Sequence, residues 1–212
     1  MSKVKVVSFD AEGTLVTLDF SHAVWHEGIP SSYARKHGIS LREARAFIEQ
    51  EYNEVGAQKM EWYDIKYWLK RFGLGDCHDQ ILKEYSHKVS CYPDASEVLS
   101  SLSRDYTLIV VSCSTREFLP FLLADLEQYF NRVFSTVSDY GQIKTPELFL
   151  EISRQMGVAP YEMAHVGDLW EQDYLAAKEA SVKAFHLDRT GECKEEQSLA
   201  SLVDLEAKLR RR

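Results

Sequence analysis

Two carboxylates stand directly after the first apolar run of the chain. Residues 4–9 are mostly β-branched and apolar, which predicts a buried parallel strand, and Asp10 follows that strand. A carboxylate at a strand tip can attack an electrophile such as phosphorus and form a covalent acyl intermediate. Glu12 lies two residues further on, where it can protonate a leaving oxygen and later activate water. Gly13 permits the tight turn that brings Glu12 back over the site.

Further polar residues beyond later strands predict an anion site. Ser112 and Cys113 follow the apolar run 107–111, and a hydroxyl beside the free N–H groups of a beginning helix suits phosphate. Thr14 offers a hydroxyl and backbone N–H groups in the first turn. Lys144 lies in a turn after another short strand, and its ammonium would neutralise an attacking carboxylate and phosphoryl oxygens.

Asp168 and Asp173 complete the acidic residues at predicted strand ends. Asp168 closes the segment that begins with the apolar run 163–166, and Asp173 lies in the next turn. Asp10 and Asp168 together make a hard oxygen site suited to Mg²⁺, which prefers few carboxylates plus water and phosphate. Such a metal would withdraw charge from a phosphoryl group and reduce its repulsion of an anionic nucleophile.

The order of strands and helices predicts how these residues meet. Strand-like runs, separated by helical segments, occupy residues 107–111, 132–135, 163–166 and 183–186. This alternation predicts an α/β fold with a doubly wound parallel sheet, right-handed crossovers and helices on both faces. Ligand sites in such sheets lie beyond the carboxyl ends of the strands, which is where Asp10, Ser112 and Asp168 stand.

Residues 17–90 differ from the rest of the chain, because aromatic and charged residues are dense and helical periodicity dominates. Ser40 and Glu43 form the pattern of a capping box, which predicts a helix start. Gly75 predicts a break, and Asp76 predicts the cap of the next helix. One helix face is predicted from the spacing of Ile65, Trp68, Leu69 and Phe72. The segment contains no convincing strand and is predicted to be an all-helical insert.

These segments resemble the four ordered motifs of the haloacid dehalogenase (HAD) superfamily, and the resemblance covers nearly the whole chain. It implies a Rossmann-like catalytic core at residues 1–16 and 91–212, with residues 17–90 as a type C1 helical cap. It further implies a Mg²⁺-dependent hydrolase that forms an aspartyl-phosphate, in the first place a phosphatase acting on a small phosphorylated metabolite.

The resemblance also implies roles for single residues. Asp10 would be the nucleophile and a Mg²⁺ ligand, and Glu12 would be the acid/base that also gives its backbone carbonyl to the metal. Asp168 would bind the metal, with Asp173 as a ligand through water or as a support for Lys144. The residues expected around the phosphoryl group are Thr14, Ser112, Cys113 and Lys144.

Three residues depart from the family's pattern. Its phosphatases usually have Asp at the second acid, whereas this chain has Glu12. The extra methylene moves the carboxyl by more than about 1 Å, and a misplacement of about 1 Å can cost roughly 100-fold in rate. Cys113 stands where a small polar residue is frequent, and Leu169 stands where Asn or Ser is common.

Other activities of the superfamily stay open. The 2-haloacid dehalogenases are similar in size and cap type, but they work without metal, typically have an aromatic residue at the position of Glu12 and lack the acid at that of Asp168. Phosphonatases typically have a small residue at the position of Glu12 and use a cap lysine, and phosphomutases share the phosphatase core. The alternative from a different class is a non-catalytic phosphate- or Mg²⁺-binding protein, since fold does not fix function.

Charge and composition limit the expected partners. A net charge of −8 argues against a broad nucleic-acid surface. The first apolar run is too short for a signal peptide or a membrane span, so no membrane partner is expected. The four cysteines have no CxxC spacing, which favours reduced thiols and a cytoplasmic location. The oligomeric state stays open.

Some histidine and aromatic residues have two interpretations. His22 and His26 lie four residues apart, but no third ligand at a zinc spacing accompanies them. His165 lies within a predicted strand and is expected to pack in the core. Three aromatic residues of the insert would either line a substrate surface or pack its helices, namely Trp25, Trp62 and Tyr63.

Overall fold

A computed structural model describes residues 3–191, 193 and 198–210 of the chain. Its strands are β1 Val6–Phe9, β2 Thr107–Ser112, β3 Arg132–Ser135, β4 Met163–Gly167, β5 Lys183–Leu187 and β6 Ser198–Leu199. They form one sheet in the order β3-β2-β1-β4-β5-β6, and all neighbours pair in parallel. The predicted parallel sheet is therefore confirmed, with one short edge strand, β6, that the sequence pattern did not predict.

Helices account for most of the remaining described residues. The α-helices are α1 Asp19–Ala23, α2 Ile29–His37, α3 Leu41–Val55, α4 Ile65–Arg71, α5 His78–Tyr85, α6 Ala95–Leu102, α7 Leu119–Leu122, α8 Thr136–Tyr140, α9 Pro146–Gln155, α10 Ala176–Glu179 and α11 Leu202–Arg210. Two π-helical turns occupy Val24–Gly28 and Trp170–Leu175. Within the described residues, no helix combines the length and apolar character needed to cross a membrane.

Helices cover both faces of the sheet. Successive side chains of a strand point to opposite faces. In β1, Val7 joins a buried cluster that includes residues of α6 and α11. Its neighbour Val6 joins a second cluster with residues of α9 and α10. This two-sided core confirms the doubly wound arrangement and hides the central strands from water.

Strand β1 lies at the point where the strand order reverses. Its residue Phe9 is in register with Val110 of β2 on one side and with Val166 of β4 on the other. The backbone N–H of Asp10 donates to the carbonyl of Val166 at 2.9 Å, so the ladder continues to the very end of β1. The crevice beyond these three strand ends is where such sheets bind ligands.

The two ends of the segment between β1 and α6 lie next to each other. Val16 forms an isolated antiparallel bridge with Cys91, and Thr17 donates its backbone N–H to the carbonyl of Ser90 at 2.8 Å. Within residues 17–90, all of which the structure describes, the regular elements are helices and helical turns. The absence of a strand from this segment was predicted from its periodicity.

The two predicted caps of this segment have different outcomes. The side chain of Ser40 accepts from the backbone of Glu43 at 3.2 Å, and the Glu43 carboxylate accepts from the backbone of Ser40 at 2.9 Å, which confirms the capping box. The predicted cap at Asp76 is wrong, because α5 begins one residue later, after Cys77. The Asp76 carboxylate lies 2.5 Å from Nδ1 of His78 instead.

Candidate active site

Three acids from two neighbouring strand ends gather beyond the sheet. Asp10 follows β1, Asp168 follows β4, and Asp173 lies in the π-helical turn after Asp168. One carboxylate oxygen of each lies within 4.8 Å of the others. π-Helical turns are frequent at functional sites, and this one turns Asp173 back under the strand end. The strand ends predicted the meeting of Asp10 and Asp168, whereas the role of Asp173 was implied by the resemblance.

Lys144 connects two of these acids. It lies in the loop between α8 and α9, and Thr145 caps α9 by accepting the N–H of Leu148 at 3.3 Å, which fixes the loop end. The Lys144 ammonium donates to Asp10 Oδ1 at 2.5 Å and also to Asp173 Oδ1. Burial alone would lower the pKa of Lys144, but the two carboxylates outweigh burial and raise its pKa well above the usual value. Lys144 therefore remains a cation beside Asp10.

Asp173 is held from three directions. Its Oδ1 atom lies 3.0 Å from Nε2 of His165, and its Oδ2 atom accepts the N–H of Leu169 at 2.9 Å, in addition to the contact with Lys144. Burial opposes the charge of Asp173, but Lys144 and His165 overcome it and hold the pKa of this carboxyl below its usual value. Ser8 lies 2.9 Å from the other nitrogen of His165. A neutral imidazole satisfies both neighbours if Nε2 carries the proton.

His165 is a residue whose contacts with the site were missed by sequence reasoning. It is fully buried, as predicted, and burial lowers its pKa. Its ring does more than fill the core, because it links Ser8 of β1 to Asp173 behind the cationic Lys144. The available signal was a polar residue inside an otherwise apolar strand, which requires a buried partner.

Two glycines make room for the acids. Gly13 has φ +74°, and a Cβ atom there would collide with the carboxylate of Asp168. A Cβ at Gly167 would collide with the side chain of Asp173. Both positions therefore require glycine because a carboxylate occupies the space of the missing side chain.

The floor of the site carries an excess of negative charge. Burial raises the pKa of Asp168 well above its usual value, and the charges of Asp10 and Asp173 add to the shift. Burial also raises the pKa of Asp10, with Lys144 opposing. Within the described residues, one ammonium faces three carboxylates, so a further cation would stabilise the ionised floor.

Glu12 lies at the side of this floor, next to the helical segment 17–90. Its Oε2 atom accepts from the hydroxyl of Ser114 at 2.6 Å, and Ser114 also lies 3.2 Å from the hydroxyl of Ser112. Its Oε1 atom is buried and has no hydrogen-bond partner within the described part of the chain. Burial raises the pKa of Glu12, while the hydrogen bond from Ser114 opposes the shift. The free oxygen is therefore available to a ligand.

The residues predicted to bind phosphate occupy different environments. Ser112, Cys113 and Lys144 line the cavity above the floor, whereas Thr14 is fully buried outside the cavity lining. The Cys113 thiol donates to Gln172 Oε1 at 3.2 Å, and burial raises its pKa, so it is a packed thiol. The structure thus brings Ser112 and Lys144 to the cavity and leaves Thr14 behind the turn.

The cavity has a volume of about 370 Å³ and lies between the strand ends and the helical segment. Trp25, Trp62 and Tyr63, the aromatic residues with two interpretations, all line it. The contacts between the helical segment and the core include a hydrogen bond and an ion pair. Gln172 Nε2 donates to the Tyr63 hydroxyl at 3.0 Å, and Lys66 pairs with Glu117 at 2.5 Å.

A family model described as haloacid dehalogenase-like hydrolase matches residues 4–181. The chain belongs to the haloacid dehalogenase-like hydrolases. The resemblance of the four motifs to this family is therefore confirmed, and with it the assignment of the protein as an enzyme of the hydrolase class.

Two relatives of this HAD-like hydrolase are named as phosphate-releasing enzymes. The GMP/IMP nucleotidase YrfG of Escherichia coli (strain K12) is 32% identical over 74 residues, which is 35% of this chain and 33% of that protein. The match thus spans about a third of the nucleotidase. The crystal structure of a HAD phosphatase from Thermococcus onnurineus is similar with a TM-score of 0.86 and 28% identity, covering 98% of both chains.

The fold is also shared with dehalogenases. A 2-haloacid dehalogenase from Pseudomonas syringae pv. Tomato DC3000 is similar with a TM-score of 0.67 and 20% identity, over 97% of this chain and 98% of that one. At this identity the likeness concerns the fold alone.

Proposed function

We propose that this HAD-like hydrolase is a Mg²⁺-dependent phosphatase that acts on small phosphomonoesters through an aspartyl-phosphate at Asp10. The observation that carries the proposal is the contact of Asp10 with Lys144, beside Asp168, which has no ion-pair partner among the described residues. A carboxylate nucleophile needs such cations, because its substrate is also an anion. The nucleotidase and phosphatase relatives support a phosphomonoester substrate.

The donors at the floor suit Mg²⁺. Asp10 and Asp168 offer hard oxygen ligands on neighbouring strand ends, and the backbone carbonyl of Glu12 is the proposed third protein ligand. Both oxygens of Asp173 are already engaged, which favours a role as support for Lys144 over direct ligation. When bound, Mg²⁺ would withdraw charge from the phosphoryl oxygens.

In the first step, a carboxylate oxygen of Asp10 attacks phosphorus. The new bond from Asp10 to phosphorus forms as the bond from phosphorus to the alcohol oxygen breaks. Lys144 orients Asp10 through the 2.5 Å contact and offsets the charge of the phosphoryl group, to which the Ser112 hydroxyl donates. Glu12 gives its proton to the leaving oxygen, and its raised pKa favours the protonated form that this step requires.

In the second step, water attacks the phosphorus of the aspartyl-phosphate. The carboxylate of Glu12 takes a proton from the water, and the bond from phosphorus to Asp10 breaks to release phosphate. The cycle ends with Asp10 ionised and Glu12 protonated, as it began. The same group therefore serves as acid and then as base.

Residues 17–90 are the proposed cap, over a core of residues 1–16 and 91–212. The cavity lies between the two, so that closure of the cap would exclude bulk water from the phosphoryl group.

The four cysteines, Cys77, Cys91, Cys113 and Cys193, are free thiols in this structure. Free thiols support the proposed cytoplasmic location.

Phosphate release from a panel of small phosphomonoesters tests the proposal. We expect release to require Mg²⁺, to stop with EDTA, and to fall by at least about 1,000-fold in Asp10→Asn. Asp79→Asn is the matched control, because Asp79 is an acid of α5 whose side chain is 76% exposed. Release that persists in EDTA or in Asp10→Asn would contradict the proposal.

The alternatives predict other results in the same assay. A 2-haloacid dehalogenase would release halide from 2-haloacids in EDTA and no phosphate. A non-catalytic binding protein would bind phosphate or Mg²⁺ with no turnover in either assay. Either result would replace the phosphatase proposal.

A further inference from the structure

The cavity wall that faces the carboxylates is built from rings. Its lining includes Trp25, His26, Tyr52, Trp62, Tyr63 and Phe118. All of these except Phe118 belong to the helical segment 17–90. A wall of this kind offers flat, polarisable surfaces and few aliphatic contacts.

The rings fix one another in place. Trp25 stacks on Phe118 with centroids 5.5 Å apart and an interplanar angle of 16°. Tyr52 meets Trp25 edge-on at 6.0 Å and Trp62 edge-on at 6.1 Å, and its hydroxyl donates to the carbonyl of Trp25 at 3.3 Å. The carbonyl of Trp62 in turn accepts from the indole of Trp68 at 3.4 Å. The wall is therefore preorganised, which reduces the entropy lost on binding a ring.

The wall also lacks a permanent charge. The charged side chains that line the cavity are Asp10, Glu12, Lys144 and Asp168, and all four lie at the floor. Among the described lining residues of the helical segment, the titratable side chains are His22, His26 and two tyrosines. Burial and the neighbouring His22 lower the pKa of His26, which is thus neutral near neutral pH. A carboxylate or second phosphate on the leaving alcohol would lose water here without gaining a cation.

We propose that the cavity selects phosphomonoesters whose alcohol is uncharged and carries a planar, hydrogen-bonding ring, as in nucleoside monophosphates, and that Trp62 determines this specificity. The proposal rests on the proposed phosphatase function and names its substrate class. A ring stacked on the wall would present its polar edge to the His26 ring and to the Tyr63 oxygen, both of which line the cavity. The Tyr63 hydroxyl donates to the carbonyl of Ala57 at 3.2 Å and accepts from Gln172, so one lone pair of its oxygen is left for a donor on the ring. The volume of about 370 Å³ lies within the range of small-molecule sites.

Three substrates that differ in the leaving group test the selection. Inosine 5′-monophosphate carries the ring, ribose 5-phosphate lacks it, and 2-phosphoglycolate replaces it by a carboxylate. We expect kcat/KM for inosine monophosphate to exceed that for ribose 5-phosphate by at least about tenfold, because stacking of one base on an aromatic ring is worth about that factor. Phosphoglycolate should be the poorest substrate.

Trp62→Ala should lower the ratio of the two kcat/KM values by about tenfold, and Trp62→Phe should restore most of it. The loss should fall on KM, because a stacked ring is bound equally in the ground state and the transition state. Tyr161→Ala is the matched control, since Tyr161 is 59% exposed and lies outside the cavity lining. An unchanged ratio in Trp62→Ala would overturn the assignment of Trp62.

Binding of inosine in EDTA separates this proposal from the phosphatase proposal. Quenching of tryptophan fluorescence should report saturable inosine binding, weakened in Trp62→Ala, and no comparable binding of ribose. Inosine binding without phosphate release from any ester would uphold the ring site and end the phosphatase proposal. Phosphate release with equal kcat/KM for inosine monophosphate and ribose 5-phosphate would overturn the ring site and leave the phosphatase proposal standing.

Discussion

Glu12 is one of three residues at which this chain departs from the usual pattern of its family, and the structure indicates how the longer side chain is held. Its Oε2 atom accepts from Ser114 at 2.6 Å, while Oε1 has no hydrogen-bond partner among the described residues. A flexible carboxyl loses side-chain entropy when it must reach one position, and a short hydrogen bond offsets part of that loss. We infer that Ser114 positions the proposed acid/base.

Substitutions of Glu12 test whether its carboxyl takes part in turnover. We expect Glu12→Gln to lose most activity, by about 100-fold or more, because the amide can neither give nor take the proton. Glu12→Asp should keep or raise turnover, since it restores the usual length. Steady-state kcat with the best phosphomonoester is the measurement, and equal rates for all three proteins would remove Glu12 from the mechanism.

Ser114→Ala tests the positioning role through its coupling to Glu12. We expect about a tenfold loss of kcat in the Glu12 protein and a much smaller loss in Glu12→Asp, because the shorter acid does not reach the same hydroxyl. Ser103→Ala is a control, since the Ser103 side chain is exposed and donates locally, to the carbonyl of Ser100. Equal losses in both backgrounds would mean that Ser114 acts on the site without positioning Glu12.

Among the elements, the turn after β1 shows most directly how local geometry serves the site. Gly13 has φ +74°, and Gly157 has φ +68°, so a side chain at either position costs about 1 kcal/mol or more of strain. A Cβ at Gly13 would also collide with Asp168, whereas a Cβ at Gly157 meets open space. Substitutions at these two glycines therefore distinguish the effect of backbone strain from the effect of a collision with Asp168.

We expect Gly13→Ala and Gly157→Ala to lower the free energy of unfolding, and Gly13→Ala alone to lose most phosphate release and Mg²⁺ affinity. Urea unfolding gives the stability of each variant, and calorimetric titration gives its Mg²⁺ affinity. Full activity in Gly13→Ala would contradict the collision with Asp168.

The sequence predicted the elements where one local signal dominates. The strand-like run at residues 132–135 has the bounds of β3, and the capping box at Ser40 begins α3. Strand β6 and helix α11 were not predicted. A strand of two residues shows no periodicity in the sequence, and the pairing of β6 depends on β5. Asp76 failed as a cap for a related reason, since His78 competes for its carboxylate.

The candidate site was predictable where a residue lies at a strand end. Asp10 and Asp168 follow β1 and β4, so the parallel order alone brings them together. The link from Ser8 through His165 to Asp173 was not predictable, because it depends on how side chains meet in the folded core. Ser8 and His165 are 157 positions apart in the sequence, and His165 and Asp173 are 8 positions apart. The contact of Ser114 with Glu12, 102 positions apart, was missed for the same reason.

For the whole molecule, the acidic floor opposes folding when no metal is bound. Folding raises the pKa of Asp10 and of Asp168. The stability that these two groups contribute is therefore present below the pKa of the unfolded chain, and it is lost as pH rises through the pKa of the folded protein. Asp173 affects the pH dependence of stability in the opposite direction. Folding lowers its pKa, so the stability that it contributes is lost as pH falls. Ionising Asp168 in the metal-free protein is therefore unfavourable, and a bound cation would offset that cost.

Asp168→Asn should accordingly stabilise the metal-free protein while abolishing activity. The amide removes a charge that faces Asp10 and Asp173, and a gain of about 1 kcal/mol would raise Tm by about 3 °C in a chain of this size. The gain should shrink toward acidic pH, where Asp168 in the wild-type protein is protonated. Differential scanning calorimetry in EDTA measures the difference, with Asp79→Asn as the exposed control.

Mg²⁺ should raise the Tm of the wild-type protein, and more so near neutral pH than in acid, because protons compete for Asp10 and Asp168. Asp168→Asn should lose most of this increase, since it lacks one of the two side-chain ligands. The combination of a more stable apo-variant and a lost Mg²⁺ response distinguishes a metal site from an acid that serves only packing. A less stable variant that still responds to Mg²⁺ would place the metal elsewhere and would assign Asp168 to the fold.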